Sequence, residues 1–123
     1  MGLYTWQRSM VVPSAYIPER GDLVWMNFNP QRGHEQAHKR PAVILSPKSY
    51  NEKSSLALMC PVTTRVKGYP FEIPLNAGKI AGVILSDQVR SLDWRVRRAA
   101  FIQRLNPEIL TEAQERILQL VTE

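Results

Sequence analysis

A chain of 123 residues, 44% hydrophobic and 22% charged, has the balance of one soluble globular domain, and its longest apolar runs (Ala42–Leu45 and Leu56–Cys60) are far too short to cross a bilayer. No basic-then-apolar leader opens it, and Met1-Gly2 misses the myristoylation pattern because Trp6 stands where a hydroxyl residue is needed, so a cytoplasmic location is expected. The single cysteine, Cys60, excludes an intramolecular disulfide, and the net charge of +5 suggests an anionic partner.

Residues 1–15 show no period and are read as an N-terminal extension; the single domain is expected over 16–123. Gly21-Asp22 introduces a β-prone run, Leu23–Phe28, which Asn29-Pro30 ends. A polar loop from Gln31 to Lys39 follows, with Gly33 as its flexible point. Ala42–Leu45 reads as a second strand and Ser46-Pro47 as its stop. Lys48–Ser55 is loop or a single helical turn, and Leu56–Thr64 is a third strand. Cys60, inside that apolar run, is read as a packing residue rather than a nucleophile. Lys67-Gly68-Tyr69-Pro70 turns the chain into Phe71–Leu75, where apolar and polar residues alternate as on a half-buried edge strand. Asn76–Lys79 is a hairpin turn into Ala81–Leu85; an irregular stretch holds Asp87–Arg90 and Trp94, and Ala99–Leu105 is the last strand. Asn106-Pro107 is a sound helix start, and Thr111 with Gln114 offers a second one. Leu110, Ala113, Ile117, Leu120 and Val121 then share one helical face. Short strands plus one terminal helix predict a mainly β fold: a small, partly open barrel with a C-terminal packing helix.

The charge is not spread evenly. From Gln31 to Lys67, seven Lys/Arg (Arg32, Lys39, Arg40, Lys48, Lys53, Arg65, Lys67) face two acids, Glu35 and Glu52, while the rest of the chain is neutral. Within that window His34-Glu35-Gln36-Ala37-His38 spells a zinc-protease signature. That chemistry needs a helix to bring both histidines to the metal, and Pro30, Gly33 and Pro41 oppose one, so no metal site is expected. Three polar groups stand out instead: the Gly33–Arg40 segment, Thr63-Thr64-Arg65 after an apolar strand, and Asp87-Gln88.

Five stretches resemble, in order and spacing, the signature blocks of the MazF/PemK toxins of type II toxin–antitoxin systems, the mRNA interferases that also include the ChpB-like toxins. They are Arg20–Trp25, Glu35-Gln36 with Lys39–Val43, Pro61–Thr64, Gly68–Phe71 and Leu85–Val89. The resemblance implies an SH3-like (CcdB/PemK-like) barrel, a homodimer, selective cleavage of single-stranded RNA, and an antitoxin whose acidic, disordered MazE-like tail occupies the RNA site. The family's catalytic glutamate, arginine and threonine would fall on Glu35, Arg40 and Thr63. One departure stands out: a related toxin type has histidine where this chain has Lys39 and glycine where it has His38, which leaves the proton donor open.

The chemistry of those residue types agrees. RNA carries its own nucleophile, the 2′-hydroxyl, so an enzyme needs a base, cationic donors for the phosphorane charge and a proton for the 5′-oxygen. Glu35 would be the base, Arg40 a fixed guanidinium clamp and Thr63 a hydrogen-bond donor, with no cofactor required and 2′,3′-cyclic phosphate and 5′-hydroxyl ends as products. RNA contacts are expected from Trp25, Asn27, Gln36, His38, Lys39, Asn51, Thr64, Arg65, Lys67 and Gln88, with Tyr50 beside them. Duller uses exist for each: Glu35 and Arg40 as a loop ion pair, Thr63 as an ordinary strand residue, Asp87-Gln88 as a turn, Trp25 and Trp94 as core. Two rival functions remain, a CcdB-like gyrase poison on the same barrel and a non-catalytic nucleic-acid-binding module; neither needs Glu35, Arg40 and Thr63 together.

Overall fold

The computed structural model describes residues 16–29 and 39–123; the expected extension, 1–15, and residues 31–38 of the polar loop lie outside the described residues. In chain order come β1 (Asp22–Asn27), β2 (Lys39–Ile44), α1 (Lys48–Ser54), β3 (Leu56–Thr63), β4 (Glu72–Ala77), β5 (Ile80–Leu85), β6 (Arg90–Asp93), β7 (Ala100–Arg104) and α2 (Pro107–Thr122). The strands form one antiparallel sheet in the order β4-β5-β3-β2-β1-β7, with β6 also beside β3. This is the mainly β, curled architecture with a C-terminal helix that the sequence predicts. Among the described residues no helix is long and apolar enough to cross a membrane.

Both faces of the sheet are covered, which explains why β1 to β3 read as nearly continuous apolar runs. On one face Leu23, Val43, Cys60, Val62, Ile73, Leu75 and Ile84 pack with Leu105 and Ala113, and Ile109, Leu110 and Ile117 of α2 close over them. On the other, Val24, Met26, Ala42, Ile44, Ala57 and Met59 pack with Trp94, and Tyr16, Ile17, Phe28 and Leu92 complete the layer. Strand side chains alternate between faces, so these two sets fix the parity of every other strand position.

Two of the strand prolines fall where a missing N–H does little harm. Pro74 is exposed on β4, an edge strand. Pro61 lies at the handover within β3, whose first half (Leu56–Met59) pairs with β6 and whose end (Val62-Thr63) pairs with β5. At that point the sheet is split, and the Ser86–Val89 connection bridges the gap.

Four expectations are corrected. The stretch expected as a loop or single turn holds a seven-residue helix, Lys48–Ser54, closed by Ser55 in the left-handed conformation (φ 65°). Residues 90–93, read as irregular, form β6; their single apolar side chain, Leu92, is too weak a signal, and only pairing with β3 makes the strand. Thr64 is a bend beyond β3 rather than part of it. In α2, capped by Asn106 accepting the Glu108 N–H at 2.8 Å, Ala113 and Ile117 pack as expected, but Leu120 and Val121 are 60% and 72% exposed. Among the described residues nothing covers the last turn.

Candidate active site

Parity builds the site. Met26, Arg40, Ala42, Met59, Pro61 and Thr63 occupy the same face, because Ala42 pairs with Pro61 and Met26 with Arg40. Continuing the β2–β3 register two residues outward puts Arg40 level with Thr63. Beyond the buried Pro61 this face opens onto solvent at the part-buried Thr63 and Phe28 and the exposed Arg40. There Phe28, Arg40, Pro61, Val62, Thr63, Leu85, Gln88 and Arg90 line a cavity of about 290 Å³, set in the split between β5 and β6. Thr63 Oγ1 accepts the Arg65 N–H at 3.1 Å, which orients the hydroxyl and leaves its own hydrogen to donate. Gly82 on β5 lies against the Thr63 carbonyl so closely that a Cβ there would overlap it.

A second lobe of about 170 Å³ continues from Thr63, Leu85 and Gln88 to Arg65, Lys67, Tyr69, Phe71 and Glu72. Tyr69 and Phe71 stack with ring centroids 5.3 Å apart. The wall carrying Gln88 is tied down by Ser86, whose hydroxyl donates to the Phe71 carbonyl at 2.6 Å, and by the Gln88 N–H on the Leu85 carbonyl at 3.0 Å. Arg40, Arg65, Lys67 and Arg90 thus surround one cleft with a hydroxyl and an amide between them. Such a surface suits a phosphodiester chain with bases to stack.

The structure brings Arg40, Thr63, Gln88, Arg65 and Lys67 together, and separates others. Trp25 (37% exposed) and Asn27 alternate with Met26 and so belong to the opposite parity, as does Lys39, the register partner of Asn27. Asn27 is buried, and its side-chain oxygen accepts the Asn29 N–H at 2.9 Å. Thr64 is exposed at the bend behind Gly82. The expectation for Asn51 is contradicted. It is fully buried, donates to the carbonyls of Pro18 and Ser46, accepts from the Ser46 hydroxyl, and has its own carbonyl taken by the Trp94 indole, so it cannot reach RNA. Tyr50 beside it is exposed on α1. Trp94 is core, as its duller reading holds. Glu35, Gln36 and His38, and with them the zinc-like pentapeptide, lie outside the described residues. Among the described residues no cluster of metal-ligating side chains forms. Cys60 is buried in the core, and burial, then the charge of Asp87, push its thiol up to about 12, which leaves it protonated at neutral pH.

Sequence reasoning missed Phe28 and Arg90, whose guanidinium sits 5.9 Å from the Phe28 ring centre. Arg90 lay outside the basic window and one residue beyond the last signature block. Phe28 read only as the end of a strand.

The family profile described as "PemK-like, MazF-like toxin of type II toxin-antitoxin system" matches residues 19–121. The chain is 46% identical over 108 residues to the endoribonuclease toxin MazF of Escherichia coli K12, covering 88% of this chain and 97% of that one. It is 37% identical over 109 residues to the endoribonuclease toxin ChpB of the same strain, covering 84% and 93%. Among solved structures it resembles MazF of Deinococcus radiodurans (TM-score 0.79, 48% identity, covering 88% of this chain and 99% of that chain). The MazE–MazF complex from that organism gives 0.78 at 42% identity, covering 87% and 97%. Matched over most of its length by sequence and by fold, the chain belongs to the PemK-like, MazF-like toxin family of type II toxin–antitoxin systems.

Proposed function

We propose that this toxin is an endoribonuclease that cleaves single-stranded RNA by attack of the substrate's own 2′-hydroxyl, without a metal. The observation that carries the chemistry is the meeting of Arg40, Thr63 and Gln88 in one cavity. Arg40 offers fixed donors to the non-bridging oxygens, and the Thr63 hydroxyl, oriented by the Arg65 N–H, donates a further hydrogen bond to the charge that develops there. Each preorganised donor of this kind is worth roughly 10²–10³-fold in rate. Glu35, five residues before Arg40, is the general base that removes the 2′-hydroxyl proton. The 5′-oxygen leaves with a proton supplied by His38, two residues before Arg40, giving 2′,3′-cyclic phosphate and 5′-hydroxyl ends. Phe28, Arg90, Arg65 and Lys67 hold the RNA on either side of the scissile bond.

The relatives' names support this reading, since MazF, ChpB and PemK of Escherichia coli are all called endoribonucleases. The same basic cleft suits the acidic tail of a cognate antitoxin, as the MazE–MazF pairing of the Deinococcus radiodurans protein suggests. The exposed Leu118, Leu120 and Val121 of α2 suit a homodimer, and a cytoplasmic site of action follows from an RNA substrate. A digest of a long RNA in EDTA, with both new ends mapped, tests the proposal. Cyclic-phosphate ends from the wild type and none from Arg40→Ala are expected. RNA binding without scission, or scission that needs added metal, refutes it.

A further inference from the structure

We propose that Glu72 is a positioning residue that sets which RNA sequences the cleft accepts, by clamping the Arg65–Tyr69 segment from beneath; this rests on the ribonuclease reading. Glu72 opens β4, whose neighbouring inward residues Ile73 and Leu75 fill the core, yet it is a carboxylate only 9% exposed. Burying a charge there is costly unless it is well bonded. Its bonds go to the loop backbone: Oε1 accepts the Gly68 N–H at 2.8 Å and the Lys67 N–H at 3.1 Å, and Oε2 lies 3.2 Å from the same Lys67 nitrogen.

Two successive N–H groups converging on an anion, with Gly68 at φ 83°, form the kind of backbone concavity that binds phosphates and carboxylates. Here the chain fills it from within. Residues 65–69 have no regular secondary structure, so this clamp, the Tyr69 carbonyl accepting the Glu72 N–H at 3.0 Å and the Arg65 bond to Thr63 fix where Arg65, Lys67 and Tyr69 stand. Those three side chains line the second lobe together with Glu72. The first lobe, with Arg40, does not include Glu72 and shares only Thr63, Leu85 and Gln88 with the second. Loosening the clamp therefore acts first on what the RNA flanking the scissile bond meets, and only second on the chemistry.

The test maps every cut that the full-length protein makes in a long RNA, and measures kcat and KM on one preferred oligonucleotide. For Glu72→Ala, the ratio of preferred to secondary cuts should fall at least about tenfold, with KM rising more than kcat falls. Glu72→Gln, whose amide oxygen can still accept both N–H groups, should recover most of that ratio. Gly68→Ala strains the same loop at a position where a new Cβ meets nothing within 4 Å, and should broaden the cuts without disturbing the core. If Glu72→Ala does not fold, Gly68→Ala decides. Wild-type cut sites and ratios in the folded variants overturn the proposal, as does a fall in kcat with KM and cut sites unchanged. A wild type that cuts no RNA refutes the ribonuclease reading instead. Glu72 is then judged by binding to a set of RNA oligonucleotides, where an unaltered order of preference in the variants overturns it.

Discussion

Gly82→Ala probes how rigidly the fold holds Thr63. A Cβ at position 82 overlaps the Thr63 carbonyl oxygen and stands 2.9 Å from its carbonyl carbon and 3.3 Å from the Thr64 Cα, all backbone atoms that cannot swing aside. Carbon atoms pack at about 3.5–4.0 Å, so β3 and β5 must part by roughly 0.6–1 Å at this point. Overpacking of this kind costs about 1–3 kcal/mol, or on the order of 4–12 °C in melting temperature. A domain with roughly 5–15 kcal/mol of stability still remains mostly folded at 25 °C after that loss. Any fall in rate at 25 °C therefore reports the displaced threonine and not unfolding. A shift of about 1 Å at a reacting group is worth up to roughly 10²-fold in rate. The assay is a thermal melt together with single-turnover cleavage of a labelled RNA by saturating enzyme. A lowered melting temperature with a 10- to 100-fold slower step (about the range above) is expected. A lowered melting temperature with a wild-type rate refutes the claim that this contact places Thr63 for chemistry.

Asn51→Ala should cost about 2–4 kcal/mol, because it strands the buried carbonyls of Pro18 and Ser46 and the Ser46 hydroxyl. RNA affinity per folded molecule should be unchanged, by melting and by binding at low temperature. Cys60 should react with iodoacetamide at pH 8 only as fast as the protein unfolds, since burial and Asp87 hold its thiol pKa near 12. The sign of the pH effect follows. The unfolded thiol ionises at about 8.5, so between there and 12 the folded state binds more protons than the unfolded one, and stability falls as pH rises through that window. Cys60→Ser should flatten that slope in melts taken from pH 8 to 11.

The parts of this molecule legible in the sequence are those written in local periodicity. The apolar runs of β1 to β3 and the Asn106-Pro107 start of α2 are of that kind, while Arg40 and Thr63 stood out through the signature blocks that hold them. What escaped depends on partners distant in the chain. Asn51 looks like a solvated loop amide, and is buried because Pro18, Ser46 and Trp94, up to 43 positions away, need its polar groups. β6 has little apolar content of its own and exists through β3. Arg90 joins the cleft because the sheet splits beside Pro61, a feature of topology rather than of composition. Trp25, Asn27 and Lys39, expected to touch RNA, lie on the opposite parity from Arg40 and Thr63, which only the pairing register reveals.

The central claim is that Arg40 and Thr63 act on one phosphate as a unit, and a double-mutant cycle on the cleavage step addresses it most directly. Single-turnover rates for Arg40→Ala, Thr63→Ala and the double variant are measured in EDTA on one oligonucleotide. If the two side chains share a transition state, the double variant should be little slower than the worse single one, a coupling of about 1–3 kcal/mol. Fully additive losses would mean that the two residues work apart and that the shared cavity is not where RNA is cut.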